Sequence, residues 1–210
     1  MRKVLGGKMI TVVNLGISNL SSVLNALKYL GLDFCVSSQK EDISKSSHII
    51  LPGVGTFGEG MSQLKQKGLV DVLKDEVLNK KKPIIGICLG MQLLFETSEE
   101  TVGINGLGLL AGNVIRLPKS DKYTIPRIGW AESVFTKDFL GFNKKDTADF
   151  YYIHSFYCDP VNKNITSIID EEGKIACAVQ ENNVFGCQFH PEKSHKAGLR
   201  LLTQFSQERL

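Results

Sequence analysis

The 210-residue chain has little of what marks the specialised protein classes. Its longest apolar stretch, residues 84–95, is broken by Gly86, Gly90 and Gln92. It falls short of the roughly 18 to 20 residues that a bilayer span needs, so a soluble protein with no membrane partner is expected. Five cysteines, Cys35, Cys88, Cys158, Cys177 and Cys187, cannot all pair within one chain, and none stands in a Cys-x-x-Cys or Cys-His cluster of zinc type. Reduced thiols in a cytoplasmic protein, with no metal, are the economical reading. Lysine plus arginine exceed aspartate plus glutamate by only 25 to 22, a formal charge of +3. That excess is too slight and too dispersed to be the electrostatic footprint of a nucleic-acid binder. Only six prolines interrupt the chain, and no internal repeat, low-complexity tract or Pro/Ser-rich linker supports a domain boundary.

What is present is a composition 42% hydrophobic and 22% charged, enough for one compact domain with a sizeable core. A disordered chain and a disulfide-stapled miniprotein are excluded. The domain is expected over residues 9–210, after a short N-terminal extension of residues 1–8. That extension carries Arg2, Lys3 and Lys8, but the apolar segment after it runs only about five residues before Asn14, too short for the core of a secretory leader. Residues 9–13 form a short apolar run broken only by Thr11, and Leu20, Val23, Leu24 and Leu27 then repeat at helical spacing until Gly31, which reads as strand, loop and helix. Further strands are expected at 34–37, 48–51 and 83–88, with a Gly-rich loop at 53–60, a helical tract over 64–78 and a helix over 91–95. Unbroken strands alternating with amphipathic helices predict an α/β fold with a mostly parallel central sheet flanked by helices. After Gly112 the texture changes to short strands, at 113–117, 150–156, 165–169, 175–179 and 184–189. These are expected to be added antiparallel strands, before a closing helix at 197–205.

The sharpest chemical signal is Gly86-Ile87-Cys88-Leu89-Gly90, placed where an apolar strand meets a helix, a cysteine version of the Gly-x-Ser-x-Gly nucleophile elbow. A tight strand-to-helix turn needs small neighbours. It holds the thiol at a helix N-terminus, where the dipole favours thiolate and the following backbone N–H can face an oxyanion. The competing reading is a buried structural cysteine in a Gly-flanked turn. A thiolate nucleophile needs a base, and of the four histidines only His190 ends a hydrophobic strand and stands two residues before an acid, in His190-Pro191-Glu192. Pro191 fixes one backbone dihedral, and Glu192 is placed to bind the far imidazole nitrogen and set its tautomer. Taken alone, a histidine near a strand end is more often structural; the conjunction with the elbow reverses that. The loop Gly53-Val54-Gly55-Thr56-Phe57-Gly58 also matches Gly-x-Gly-x-x-Gly after a strand, so a dinucleotide-binding reading has to be weighed. The fingerprint belongs on the first strand–helix turn, which this loop does not occupy.

Together Leu51-Pro-Gly-Val-Gly-Thr-Phe, Pro83-Ile-Ile-Gly-Ile-Cys-Leu-Gly-Met-Gln-Leu-Leu-Phe-Glu, Tyr152-Ile-His-Ser-Phe and Gln188-Phe-His-Pro-Glu resemble the class I (triad) glutamine amidotransferases. Within them the likeness is greatest to the free-standing glutaminase subunit of imidazole glycerol phosphate synthase, and it runs from Met9 to the C-terminal helix. The resemblance implies the class I amidotransferase fold and hydrolysis of glutamine to glutamate. The ammonia would pass to a synthase (cyclase) partner in a heterodimer, with no cofactor. It implies Cys88 as nucleophile, His190 as base and then acid, and Glu192 as the orienting acid. It also implies an oxyanion hole from Leu89 N–H with the backbone of Gly53 and Val54, and a glutamine pocket of Gln92, Glu100, Ser155 and Phe156. Glu96 and Glu99 compete with Glu100 as the inward carboxylate. Low basal activity, raised by the partner, is expected.

The sequence departs from the subfamily pattern in residues 14–20, in Pro126-Arg127-Ile128-Gly129-Trp130-Ala131 and at Phe156, where tyrosine is common. These differences bear on the partner more than on the triad. A related branch that supplies ammonia for amidation of a surface-polysaccharide sugar is therefore an alternative. A dinucleotide-binding oxidoreductase and a silent binding subunit stand further off. Trp130 is open to two readings, interface anchor or core. His48 and His195 read as structural or surface groups, His154 as an organiser of the glutamine pocket, and the remaining cysteines as small core hydrophobes.

Overall fold

A computed structural model describes residues 9–17, 20–121, 123–163, 166–170 and 175–208. The expected N-terminal extension, residues 1–8, lies outside them, as do Ser18 and Asn19 of the first loop. The first half alternates as expected: β1 (Ile10–Val13), α1 (Ser21–Tyr29), β2 (Phe34–Ser37), α2 (Lys40–Lys45), β3 (His48–Gly53), α3 (Phe57–Gln66), α4 (Val70–Lys74) running into a π turn at Asp75–Asn79, β4 (Ile84–Cys88) and α5 (Leu89–Leu93). The second half holds β5 (Thr97–Ser98), β6 (Gly112–Arg116), β7 (Arg127–Phe135), β8 (Thr147–His154), β9 (Phe156–Pro160), β10 (Thr166–Asp170), β11 (Ala176–Glu181), β12 (Val184–Cys187), a 3-10 turn at Pro191–Lys193 and α6 (His195–Phe205).

All the strands join one sheet, whose main path runs β2-β1-β3-β4-β12-β11-β10-β7-β8; β9 pairs with β11, and β6 and β5 follow it. The pairings from β2 through β12 are parallel, and those from β12 outward to β8 are antiparallel. Side chains of a strand alternate between faces, and here both faces are covered. Ile49, Leu51 and Ile84 join Ile43, Leu64, Leu73 and Met91 on one side. Ile50, Ile85 and Ile87 join Val23, Leu27, Leu201 and Phe205 on the other. Burial on both sides is why β3 and β4 read as unbroken apolar runs.

Several elements differ from the sequence reading. The Gly-rich loop expected over 53–60 is only three residues long, because α3 begins at Phe57. Thr56 Oγ1 accepts from Glu59 N–H at 3.3 Å and the Glu59 carboxylate accepts from Thr56 N–H at 3.1 Å, a reciprocal cap that nucleates the helix through Gly58 and Gly60. The tract 150–156 is two strands separated at Ser155, with β8 pairing β7 and β9 pairing β6 and β11. β12, grouped by the sequence with the antiparallel strands, lies parallel to β4 and antiparallel to β11, so it is the seam between the two halves. The longest strand, β7, carries no clean apolar alternation, since Gly129, Glu132 and Ser133 interrupt it, and the sequence reading passed over it.

One buried ion pair ties the helical layer to the lead of β4. Lys82 Nζ lies 2.6 Å from Glu76 Oε2 and also donates to the carbonyls of Ile43 at 2.6 Å and Ser44 at 2.9 Å. Burial raises the Glu76 pKa, but hydrogen bonds from Lys80, Lys82 and Ser44 outweigh it and hold the carboxyl below its ordinary value. The pair therefore stabilises the fold above the ordinary carboxylate range, and its contribution is lost as pH falls through the lowered pKa. Lys82→Met leaves the buried Glu76 carboxylate with Lys80 as its remaining cation, at 2.7 Å, and is expected to cost about 3 kcal/mol in urea unfolding at neutral pH. The loss should shrink in acid, where Glu76 is protonated; an equal loss at both pH values would contradict the ion-pair account.

Candidate active site

Cys88 closes β4 and opens α5 with φ +54° and ψ −111°, a region that costs a non-glycine residue about 1 to 3 kcal/mol and survives only where the surroundings impose it. The surroundings here are three backbones in contact. A Cβ on Gly90 would stand 1.7 Å from the Leu51 carbonyl oxygen, and one on Gly86 would stand 2.5 Å from the Gly90 carbonyl oxygen. The two flanking glycines thus let α5 press against β3 and β4, and Cys88 is forced out at the bend. Gly53, at the end of β3, sits in register with Cys88.

His190 reaches the same end of the sheet because β12 runs parallel to β4, with Cys187 level with Ile87. Beyond β12, Phe189 stacks on Phe150 at 3.8 Å between ring centroids, and His190 N–H donates to the Tyr151 carbonyl at 2.9 Å. The 3-10 turn folds Glu192 back, placing its Oε1 2.8 Å from His190 Nδ1; among the described residues, Glu192 Oε2 is buried with no hydrogen-bond partner. Burial lowers the His190 pKa, but hydrogen bonds to Cys88 and Glu192 outweigh it and push the imidazole up to about 9. The carboxylate at Nδ1 leaves Nε2 as the face available to the sulfur.

These groups meet in a cleft of about 270 Å³. Of the residues expected at the site, Val54, Cys88, Leu89, Gln92, Glu100, Ser155, Phe156 and His190 line it. Gly53 and Glu192 stand behind it, one in register with Cys88 and the other against His190. The three competing carboxylates are placed differently. Glu96 accepts from Gly112 N–H and Glu99 from Arg116 N–H, each at 2.9 Å, so both face β6. Glu100 alone of the three lines the cleft, where its Oε2 accepts from Phe57 N–H at 2.7 Å. That bond also bears on the dinucleotide reading: a carboxylate already occupies the α3 N-terminus, where a pyrophosphate would have to sit.

His154 lines the cleft as well. Burial is the main cause of a pKa near 4, against a raising hydrogen bond to the Phe156 carbonyl at 2.9 Å. It is a neutral imidazole in the physiological range. Gln188 is a contributor the sequence reading passed over. It is fully buried, its Nε2 lies 3.7 Å from Cys88 Sγ, and its Oε1 accepts from Gln92 Nε2 at 3.1 Å. The available signal was a polar residue in an apolar tract two positions before His190, on the same face of an extended chain. Pro126, Ile153 and Lys193 also line the cleft and were not anticipated.

Elsewhere, Trp130 is 48% exposed and stacked on His195 at 4.8 Å, which sets aside the core reading. His48 is buried between Ser47 and the Glu208 carbonyl. Cys158, Cys177 and Cys187 are buried thiols whose pKa values burial drives up, and Cys35 is half-buried. Arg127, one of the departures from the subfamily pattern, is buried 3.8 Å from Asp170 and lies over the Tyr152 ring. Among the described residues no cluster of His, Cys, Asp and Glu could hold a metal ion, and no helix is long and apolar enough to cross a membrane.

Because the Gly90 site has no room for a methyl group, Gly90→Ala is expected to remove about 4 kcal/mol or more of stability, or to abolish folding. Urea unfolding and soluble yield check this; a variant as stable as the parent would show that the elbow is not held by this contact.

Comparison with known proteins agrees with the geometry. The family model "Glutamine amidotransferase class-I" matches residues 11–207. The chain is 40% identical over 200 residues, 94% of this chain and 98% of the relative, to imidazole glycerol phosphate synthase subunit HisH 2 of Methanococcus maripaludis. It is 45% identical over 198 residues, 94% of this chain and 93% of the relative, to imidazole glycerol phosphate synthase subunit HisH of Bacillus cereus. The solved structure of PurLQS from Thermotoga maritima matches with a TM-score of 0.74 at 20% identity, covering 96% of this chain and 98% of that one, a likeness of fold. The chain thus belongs to the class I glutamine amidotransferases, in the family of the HisH subunits of imidazole glycerol phosphate synthase.

Proposed function

We propose that this chain hydrolyses the carboxamide of glutamine and supplies the ammonia to a synthase (cyclase) subunit, as the glutaminase half of an imidazole glycerol phosphate synthase heterodimer. One observation carries the reading: a single cleft holds the thiol of a strained strand-to-helix turn and an imidazole fixed at Nδ1 by a buried carboxylate. The sulfur of Cys88 attacks the amide carbon, a C–S bond forms, and the carbonyl electrons move to oxygen. The backbone N–H of Leu89, with the backbone of Gly53 and Val54, receives that oxyanion. His190, which holds a proton at neutral pH, delivers it to the nitrogen as the C–N bond breaks and ammonia leaves. Water, deprotonated by His190, then attacks the thioester; the C–S bond breaks and glutamate is released. Glu192 keeps Nε2 aimed at the reacting atoms throughout. Glu100 receives the ammonium of the substrate, while Gln92, Ser155 and Phe156 hold its carboxylate and side chain.

The names of the relatives favour this acceptor over the surface-polysaccharide alternative. The β7 surface is suited to a partner, since Ile128 and Trp130 stand exposed on one of its faces. The partner is proposed to raise a low basal activity, because the oxyanion loop from Val54 to Thr56 is short and lies open at the cleft rim.

Cys88→Ala and His190→Ala are each expected to lower kcat by about 10⁴-fold, read as glutamate release from the full chain with its synthase subunit; turnover near the parent level in either would overturn the assignment. Glutamine hydrolysis should decline as pH rises through about 9, where His190 loses its proton. The stabilisation from its imidazolium contacts is complete below the ordinary histidine value and disappears over the same rise. Glu192→Gln removes a cause of the elevation, so the alkaline limb should move to lower pH; an unmoved limb would exclude Glu192 as the partner of His190. Hydrolysis that is equally fast with and without the acceptor-loaded synthase subunit would contradict the proposed activation.

A further inference from the structure

The hydrogen bonds behind Cys88 form a chain with only one possible direction. The Phe156 carbonyl oxygen cannot donate, so the amide group that meets it at 3.2 Å must be the NH₂ of Gln92. The same NH₂ lies 3.1 Å from the Gln188 side chain, which must therefore present its oxygen to Gln92. That leaves the Gln188 NH₂ pointing at the sulfur, 3.7 Å away. Gln188 is fully buried, so water does not compete for this N–H, and leaving it unbonded would carry the full cost of a stranded buried donor. The sulfur also lies 3.7 Å from the Ile153 carbonyl, the acceptor of the thiol proton; the Gln188 donor favours the anion against it, since a bond to sulfur strengthens when the acceptor is charged.

We propose that Gln188 is a catalytic residue of the glutaminase, whose carboxamide N–H, aimed by the Phe156 carbonyl through Gln92, holds Cys88 in its thiolate form and in place for attack. The role rests on the reading of Cys88 as the nucleophile. It complements His190, which follows two residues later on the same chain and takes the proton. The remaining ionisable groups around the sulfur are few. Glu192 stands behind His190, while His154, Glu100 and Lys193 line the cleft. Cys158 and Cys187 are buried neighbours kept protonated by burial. Of the cleft groups, Lys193 and the protonated His190 alone carry positive charge, so a neutral amide donor adds anion stabilisation without a second buried cation.

The test is the pH dependence of Cys88 alkylation by iodoacetamide in the full chain, followed at the Cys88 peptide by mass spectrometry. Gln188→Met keeps length without the donor and is expected to raise the alkylation midpoint by about one pH unit, a ten-fold smaller thiolate fraction on the rising limb. In the same variant kcat should fall about ten-fold with KM within two-fold. Gln188→Glu, closer in shape but a carboxylate, should raise the midpoint further. In the unsubstituted protein the Gln188 side-chain amide resonance, assigned through its own bonds, should titrate with the midpoint of Cys88. Folded variants that alkylate with the parent midpoint, or an amide resonance unmoved across that range, would overturn the proposal. A merely structural role would alter the melting temperature and leave the midpoint alone, which also overturns it. Glutamine turnover persisting in Cys88→Ala would instead dismiss the nucleophile reading while leaving the amide–sulfur hydrogen bond measurable.

Discussion

Four residues of β12, Val184 to Cys187, pair in parallel with Ile84 to Ile87 of β4, and this ladder sets the height at which both chains leave the sheet. In a parallel pair the two strands end on the same side, so the residues that follow them are neighbours whatever their separation in sequence. Cys88 and His190 meet for that reason, and so do Cys88 and Gln188. The ladder would be of little use if the chain after β4 simply continued outward. The glycine contacts at Gly86 and Gly90 turn it sharply into α5 and leave the thiol exposed to the cleft. The strain at Cys88 is therefore borne by packing among β3, β4 and α5, which are among the most thoroughly buried parts of the molecule.

The cleft separates the behaviour of two imidazoles by burial and partner alone. His154 and His190 both line it, yet one is held near pKa 4 and the other near 9. His154 is desolvated with only a carbonyl to bond, and Arg127 and His190 oppose a second charge there. His190 is desolvated too, but it has a carboxylate on one nitrogen and the sulfur as a further partner. The outcome is one imidazole that holds its proton beside Cys88 and one neutral ring that braces the Phe156 carbonyl. That carbonyl is the point from which the amide orientations of Gln92 and Gln188 follow.

Membership of the HisH family and the shape of the site bear on different questions. The family likeness, spread over nearly the whole chain, speaks to the reaction and to the kind of partner. The departures at Arg127 and in the first loop affect local packing instead: Arg127 is buried against Asp170 and Tyr152, and Asn14 accepts from Gly16 N–H at 2.9 Å. The exposed face bearing Ile128 and Trp130 stands apart from that buried arginine, although all three lie on β7.

Much of this is legible in the sequence, because local chemistry leaves local marks. Short apolar runs disclosed β1, β3 and β4; the glycines around Cys88 disclosed the elbow; and a histidine two residues before a glutamate disclosed the Nδ1 partner. Properties set by neighbours distant in the chain were not legible. The capping bonds of Thr56 and Glu59 shortened an apparent glycine loop, since helix formation outweighed the permissiveness of Gly58 and Gly60. The choice among Glu96, Glu99 and Glu100 depended on which backbone N–H groups of β6 and α3 came within reach. The orientation of β12, and with it the placement of Gln188 against the sulfur, depended on a strand pairing whose partner lies about a hundred residues earlier in the chain. Sequence determined which groups were available and how each segment tends to fold. Tertiary structure alone decided which groups face one another, because hydrogen bonds and desolvation act over a few ångströms of space regardless of separation along the chain.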